Sequence, residues 1–376
     1  ALRPQPDWPS QASRRRVHRL GVGLVLLLFL AALVTDRFTP FKILLGTQTF
    51  LLCVGVLYAQ RTLQAGRLLW RAAAAALKFA IRCYRRTARA IGILAARPQL
   101  PASLAGAAAI AVSATALALG AHYAGGADSY GYVAQSELWA RGQLYLDQPI
   151  VSELPPYVGD DVIVPLGFVA QKHSEIRGRM VPSYSPGLPM LMAPLRRLGG
   201  ANAVYLVVPA LAGLTVWLTF VLGRRLDGDA TGVFAAVWMA SSPAFLSSSF
   251  NPLSDVPVTV WWVAALVAAI RPAVGSAAVA GMATSLAVLT RPNLAPLALL
   301  IALPFASRWV SPSRAGRRGA ELVVFLATAS AGPLVVAALY NYWFGSPFTS
   351  GYGATSLMFS PSHILPNLAR YPRWFI

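Results

Sequence analysis

The feature that most limits what this chain can become is the length of its apolar runs. Uncharged stretches such as Ala102–Ala121 approach the roughly 20 residues a helix needs to cross about 30 Å of hydrocarbon, and they recur throughout the 376 residues. Hydrophobic residues make up 56% of the chain and charged residues only 12%. A water-soluble domain has too little interior to hide so much apolar surface in unbroken blocks. The chain therefore reads as an all-α polytopic membrane protein. Spans are expected near 20–35, 41–59, 102–121, 201–222, 231–246, 255–270, 274–290, 292–306 and 320–340.

Charge then places the loops. Lys and Arg number 32 against 13 Asp and Glu, for a net charge of +19. No basic stretch sits in a soluble region large enough to read bases, so nucleic acid is set aside as a partner. In a membrane protein a basic excess marks cytoplasmic loops instead. With the N-terminus inside, alternate threading puts Arg14–Arg16, the segment 61–97, Arg224-Arg225, Arg271 and the 308–318 stretch on the cytoplasmic side. Together with Arg3 and Arg19, these inside segments hold about two-thirds of all Lys and Arg, as the positive-inside rule requires. The loop 122–185, the Asn251–Asp255 stretch, the Arg291 turn and Asn341–Gly353 then share the outer face.

Three regions follow. Residues 1–60 read as an N-terminal transmembrane hairpin. Residues 61–97 carry Arg61, Arg67, Arg71, Lys78, Arg82, Arg85, Arg86 and Arg89. At 3.6 residues per turn these fall within an arc of about 120°, which suits an amphipathic helix on the anionic cytoplasmic leaflet. Residues 98–376 form the main transmembrane module. With an apolar run starting again at Arg373-Trp374-Phe375-Ile376, that module is expected to be truncated at its C-terminus. Arginine greatly outnumbers lysine and alanine is abundant, a habit of GC-rich bacterial genomes, which points to a bacterial cytoplasmic membrane. Cys53 and Cys83 lie in unlike surroundings and have no metal-ligand neighbours, and the four histidines show no zinc spacing. The chain has no Gly-rich phosphate loop, Gly-x-Ser-x-Gly elbow or Cys-x-x-Cys.

The residues able to carry chemistry lie on the outer face. Asp128 follows the 102–121 run in Gly125-Gly126-Ala127-Asp128-Ser129-Tyr130-Gly131-Tyr132. As a bland loop acid it would cap a helix over Ser129–Arg141; as a functional one it is a carboxylate at the membrane edge. Asp255 opens an apolar helix, where capping and the helix dipole also suit an acid. Arg291, in Leu289-Thr290-Arg291-Pro292-Asn293, sits between two apolar runs, where an unpaired charge is costly. Guanidinium is well shaped to grip phosphate. Lys172 and Arg179 form a second basic set, with His173 and Arg177, before Tyr184.

The order of these motifs resembles a known family. An Asp at the outer end of the 102–121 span opens a long outer loop with Asp-Ser-Tyr-Gly-Tyr and Arg141-Gly142-Gln143-Leu144. Tyr184-Ser185-Pro186-Gly187-Leu188-Pro189 closes that loop. Ser241-Ser242-Pro243, Leu253-Ser254-Asp255-Val256-Pro257, the Leu-Thr-Arg-Pro turn and Tyr340-Asn341…Gly345-Ser346-Pro347 follow. The set is similar to the GT-C class of integral-membrane glycosyltransferases, in the family 39-like branch of protein O-mannosyltransferases and aminoarabinose transferases. The resemblance covers roughly residues 100–360. It implies a transmembrane helix bundle whose long first periplasmic loop contains short juxtamembrane helices. It also implies transfer of a sugar from a polyprenyl-phosphate donor to a lipid, glycan or protein acceptor. Asp128 would act as general base, with Arg291, Arg179 and Lys172 around the donor phosphate. Asp255, Tyr184, Tyr130 and Glu137 would line the cavity. Many relatives carry a second acid where this chain has Ser129, so no metal ligand is assigned, no cofactor is fixed and a divalent cation stays open. A transporter or flippase of lipid-linked saccharides is the alternative, and a non-catalytic membrane scaffold stands behind both.

Overall fold

The computed structural model describes residues 99–376 apart from 156, 272, 311–317 and 372–376. The hairpin expected over 1–60 and the basic helix expected over 61–97 lie outside the described residues, as does most of the last inside loop. Gln99–Ile376 forms one compact unit.

Helix α1 spans Leu100–Leu119, close to its expected bounds, with Pro101 in its first turn, where the missing N–H costs nothing. Helix α2, Gly126–Ala140, and helix α3, Gly187–Gly199, enclose the polar loop. The membrane bundle continues with α4, Val207–Asp227, α5, Asp229–Ala240, and α6, Pro243–Ser249. Next come α7, Asp255–Ala269, α8, Val274–Thr290, α9, Ala298–Val310, α10, Arg318–Ala329, and α11, Ala331–Phe344. This is the helical membrane architecture expected from the sequence.

The spans are fewer than the apolar runs. Among the described residues three helical stretches are long and apolar enough to cross a bilayer: Leu100–Leu119, Ala201–Asp227 and Gly319–Phe344. The run expected to cross at 231–246 is broken into α5 and α6, bent by 63°. Proline explains the break. Pro243 has no N–H to continue the ladder, and it forces Ser242 into an extended backbone (ψ 118°), whose Oγ then accepts from Phe245 N. Counted together, the bent pair is a fourth candidate span. The runs at 255–270, 274–290 and 292–306 also form apolar helices, but shorter than a full crossing.

Helices pack closely where glycine allows it. A Cβ at Gly213 of α4 would lie 2.1 Å from Ser113 Oγ of α1, and one at Gly332 of α11 would lie 2.2 Å from Ser285 O of α8. Without a hydrophobic drive between helices in lipid, such small-residue contacts supply the van der Waals packing. One buried cluster joins Ala105, Ala109 and Val112 of α1 to Val208, Ala212 and Val216 of α4, and it extends to Tyr132, Tyr184 and Val256. A second centres on Ala265, Ala280, Phe305 and Phe325.

The polar loop folds onto one end of this bundle. It contains a small antiparallel sheet in the order β1-β3-β2: Leu146–Asp147, Arg179–Pro182 and Phe168–Ala170. Val169 pairs with Val181 and Leu146 with Met180. A hairpin, β4 at Thr349–Ser350 and β5 at Gly353–Ala354, follows α11. None of these strands is announced by the sequence, since runs of two to four residues carry no readable alternation. Val181 and Trp343 are fully buried together, and Trp343 Nε1 donates to Leu144 O at 3.0 Å, which fastens the loop to the end of α11.

Candidate active site

Four chain segments meet at this end of the bundle. Ala121 N, just past α1, donates to Phe250 O at 2.9 Å. The antiparallel pair α7 and α8 brings the start of one beside the end of the other. Gly187, first residue of α3, lies so close to the end of α8 that a Cβ would sit 2.5 Å from Thr290 N.

Asp128 is not a capping residue. Helix α2 begins at Gly126, whose φ of 82° needs glycine, so Asp128 stands in the first turn and makes no side-chain cap. The partial positive charge of a helix N-terminus favours a carboxylate there. Tyr184 Oη donates to Asp128 Oδ1 at 2.6 Å, the length of a charge-assisted bond. Asp128 is exposed, and its other oxygen has no protein partner among the described residues. The Tyr184 ring fits against two glycines. A Cβ on Gly131 would lie 2.3 Å from that ring, and a Cβ on Gly167 would lie 2.2 Å from Gly131 Cα.

From Tyr184 the contacts run on without a gap. Its ring lies 5.2 Å from that of Tyr132, centroid to centroid. Tyr132 Oη donates to Ser254 Oγ at 3.0 Å, and Arg291 Nε donates to the same oxygen at 2.9 Å. Arg291 NH2 donates to Asp255 Oδ1 at 2.8 Å. Asp255, expected as a capping acid, is instead the anionic partner of Arg291, while Ser254 holds the N-cap position without bonding the backbone there. Side-chain exposures of 37% for Arg291 and 44% for Asp255 leave the pair half open. Its own contribution to stability is at most about 1 kcal/mol.

Burial raises the pKa of Tyr184 above the phenol range, reinforced by its bond to anionic Asp128. Burial likewise raises Tyr132, and the bond to Ser254 and the charge of Arg291 act against it. Both phenols are neutral hydrogen-bond donors throughout the physiological range.

The other candidates have separate posts. Glu137 pairs with Arg141 on its own helix and with Arg196 of α3 at 3.1 Å, so it braces α2 against α3. Arg179 pairs with Asp147 at 3.3 Å across β3 and β1, its guanidinium 4.0 Å from the Tyr145 ring centre. Lys172 is exposed in the turn between β2 and β3, and Tyr130 is exposed on α2. No hydrogen bond or ion pair among the described residues joins these four to the Asp128–Arg291 assembly. A small cavity lined by Gly120, His122, Tyr205, Asn251 and Pro252 adjoins the assembly's end of the bundle but contains neither Asp128 nor Arg291. Among the described residues no three His, Cys, Asp or Glu side chains gather as a metal site.

Sequence reasoning passed over Ser254 and Tyr352 as site residues, and set Tyr132 only among outer-loop aromatics able to stack on a sugar ring or pack the loop onto the membrane. Tyr132 lies one helical turn beyond Asp128, the spacing that places both on one face, and Ser254 immediately precedes Asp255. Tyr352, at the tip of the β4–β5 hairpin, meets Tyr184 edge-on, with centroids 6.0 Å apart and planes at 74°. Only the Gly351-Tyr352-Gly353 sequence hints at it.

A family model described as oligosaccharyl transferase STT3, N-terminal, matches residues 193–290. The match runs from α3 to the end of α8; it includes Ser254 and Asp255 and stops one residue short of Arg291. No curated protein and no solved structure matches the chain. The match supports a membrane glycosyltransferase of the GT-C kind, a class that acts on lipid-linked glycan donors and acceptors.

Proposed function

We propose that the protein transfers a sugar from a polyprenyl-phosphate donor to a hydroxyl acceptor at the outer face of a bacterial cytoplasmic membrane, in the manner of the family 39-like GT-C branch. The observation that carries this reading is the continuous assembly Asp128–Tyr184–Tyr132–Ser254–Arg291–Asp255. In support of it, contacts link an exposed carboxylate, one of whose oxygens has no partner among the described residues, to a half-exposed guanidinium.

Asp128 takes the proton of the acceptor hydroxyl as that oxygen bonds to the anomeric carbon. The bond from anomeric carbon to phosphate oxygen breaks, and its electron pair leaves with the polyprenyl phosphate. Tyr184 holds Asp128 by one oxygen and so aims the other. Arg291 receives the growing negative charge on the leaving phosphate. Its Nε and one NH2 are held by Ser254 and Asp255, which fix the guanidinium plane and leave the remaining edge for phosphate. Lys172 and Arg179 stay outside this assignment, because neither bonds to the assembly.

The test is turnover of labelled polyprenyl-phosphate sugars by the purified protein in lipid, wild type beside Asp128→Asn. Loss of transfer with unchanged donor binding and melting temperature is the expected result. Full transfer by Asp128→Asn would remove Asp128 as base.

A further inference from the structure

We infer that the β4–β5 hairpin is a sugar-recognition element, and that the ring face of Tyr352 stacks on the sugar beside Asp128. This deepens the glycosyltransferase reading and rests on it. The hairpin is anchored against the loop rather than hanging free. A Cβ on Gly351 would lie 2.4 Å from Ser183 Cα, so the tip is pressed onto the residue before Tyr184. Ser350 Oγ donates to Gly353 O and accepts from Tyr352 N, each at 3.2 Å, which sets the turn. Gly353, with φ 113°, allows the tight return.

This construction holds a large aromatic side chain in an odd position. The Tyr352 ring meets the Tyr184 ring, whose hydroxyl holds Asp128, at a steep angle, yet the residue is 66% exposed. A tyrosine placed only for packing would bury its faces. Tyr352 thus stands beside the tyrosine that holds Asp128, on the side from which a sugar hydroxyl can approach that carboxylate. Its open face offers apolar area to the C–H face of a pyranose or furanose ring, and its rim leaves the ring hydroxyls to polar partners.

Both donor and acceptor can bring such a ring, and the experiment separates them. Tyr352→Ala and Tyr352→Phe are compared with wild type in nanodiscs. The first arm measures binding of polyprenyl-phosphate mannose and polyprenyl-phosphate glucose against bare polyprenyl phosphate. The second measures KM and kcat for donor and acceptor separately.

With the donor sugar on Tyr352, the alanine variant loses roughly three- to tenfold in affinity for the sugar-bearing carriers and nothing for the bare carrier. With the acceptor sugar there, acceptor KM rises by a similar factor while kcat changes far less. The phenylalanine variant keeps wild-type values in both cases. Unchanged binding and KM in the alanine variant would overturn the inference, as would a phenylalanine variant impaired as much as alanine. Carriers bound without regard to their sugar by wild type, together with an unchanged acceptor KM in the alanine variant, would overturn it too. A wild type that binds the sugared carriers more tightly but transfers nothing counts against the glycosyltransferase reading alone, because the binding arm still reports on Tyr352.

Discussion

Replacing Gly131 by alanine puts the proposed base to test without touching it. The new methyl would stand 2.3 Å from Cδ2 and Cε2 of Tyr184 and 3.0 Å from Gly167 Cα. Carbon atoms settle at about 3.5–4.0 Å, so the Tyr184 ring must retreat by more than about 1 Å. It has little room, with the Tyr132 ring 5.2 Å away on one side and Tyr352 edge-on at 6.0 Å on another. A retreat of that size stretches the 2.6 Å bond to Asp128 past hydrogen-bonding length. Overpacking of this kind costs about 1–3 kcal/mol of stability, and a misplacement near 1 Å in a reacting group costs on the order of a hundredfold in rate.

The assay pairs initial transfer rate with melting temperature for Gly131→Ala, with Gly275→Ala as control, since nothing lies within 4 Å of a Cβ at Gly275. Gly131→Ala should lose most of its activity and several degrees of melting temperature, and the control neither. In a double-mutant cycle with Tyr184→Ala, the second change removes the clashing ring, so the stability losses should fall short of additive. Wild-type rate and stability in Gly131→Ala, or strict additivity in the cycle, would refute the packing argument and Tyr184's place in it.

Two further outcomes follow from the same contacts. Arg291→Lys removes the bond to Ser254 and the planar fork, which should raise the donor KM about tenfold or more with little change in acceptor KM. An unchanged donor KM in that variant would take the phosphate away from Arg291. Tyr184 gives a pH test whose sign is set by its raised pKa. Its contribution to stability is complete below the unfolded phenol value of about 10 and is lost as pH rises from there towards the folded value, because only the unfolded chain then releases the proton. The melting-temperature gap between wild type and Tyr184→Phe should therefore stay constant from about pH 6 to 9 and shrink above 10; a gap that narrows already below pH 9 would contradict the raised pKa.

The sequence made the helices legible because runs such as 102–121 and 320–340 are long, apolar and punctuated by Gly, Pro or charge. Helix length was less so. Apolar residues continue through Ser241-Ser242-Pro243 and nearly to Arg271, and hydropathy alone does not register where the ladder breaks. The charged site residues stood out because Asp128, Asp255 and Arg291 interrupt apolar surroundings, a place where charge is expensive. Their geometry did not, since the ion pair depends on α7 and α8 lying antiparallel and the bond to Tyr184 on a loop closing across 56 residues. Tyr132 and Ser254, ordinary in composition, matter only as the contacts between those charges. The sheet β1–β3 was invisible for want of length, and with it the pairing with Asp147 that occupies Arg179.

The shortness of α7 and α8 has a consequence beyond their count as spans. At 1.5 Å per residue, 15 and 17 residues reach about 22 and 26 Å, several ångströms less than the hydrocarbon of an ordinary bilayer. Where such a hairpin crosses the membrane, the lipid around it thins or its ends sink. The ends in question carry Asp255 and Arg291, so in such a crossing thinning would bring the lipid phosphates and the ion pair to one level. Under the proposed function, a carrier with its tail in the membrane would then have only a short climb to the guanidinium, and bilayer thickness would become a variable of transfer.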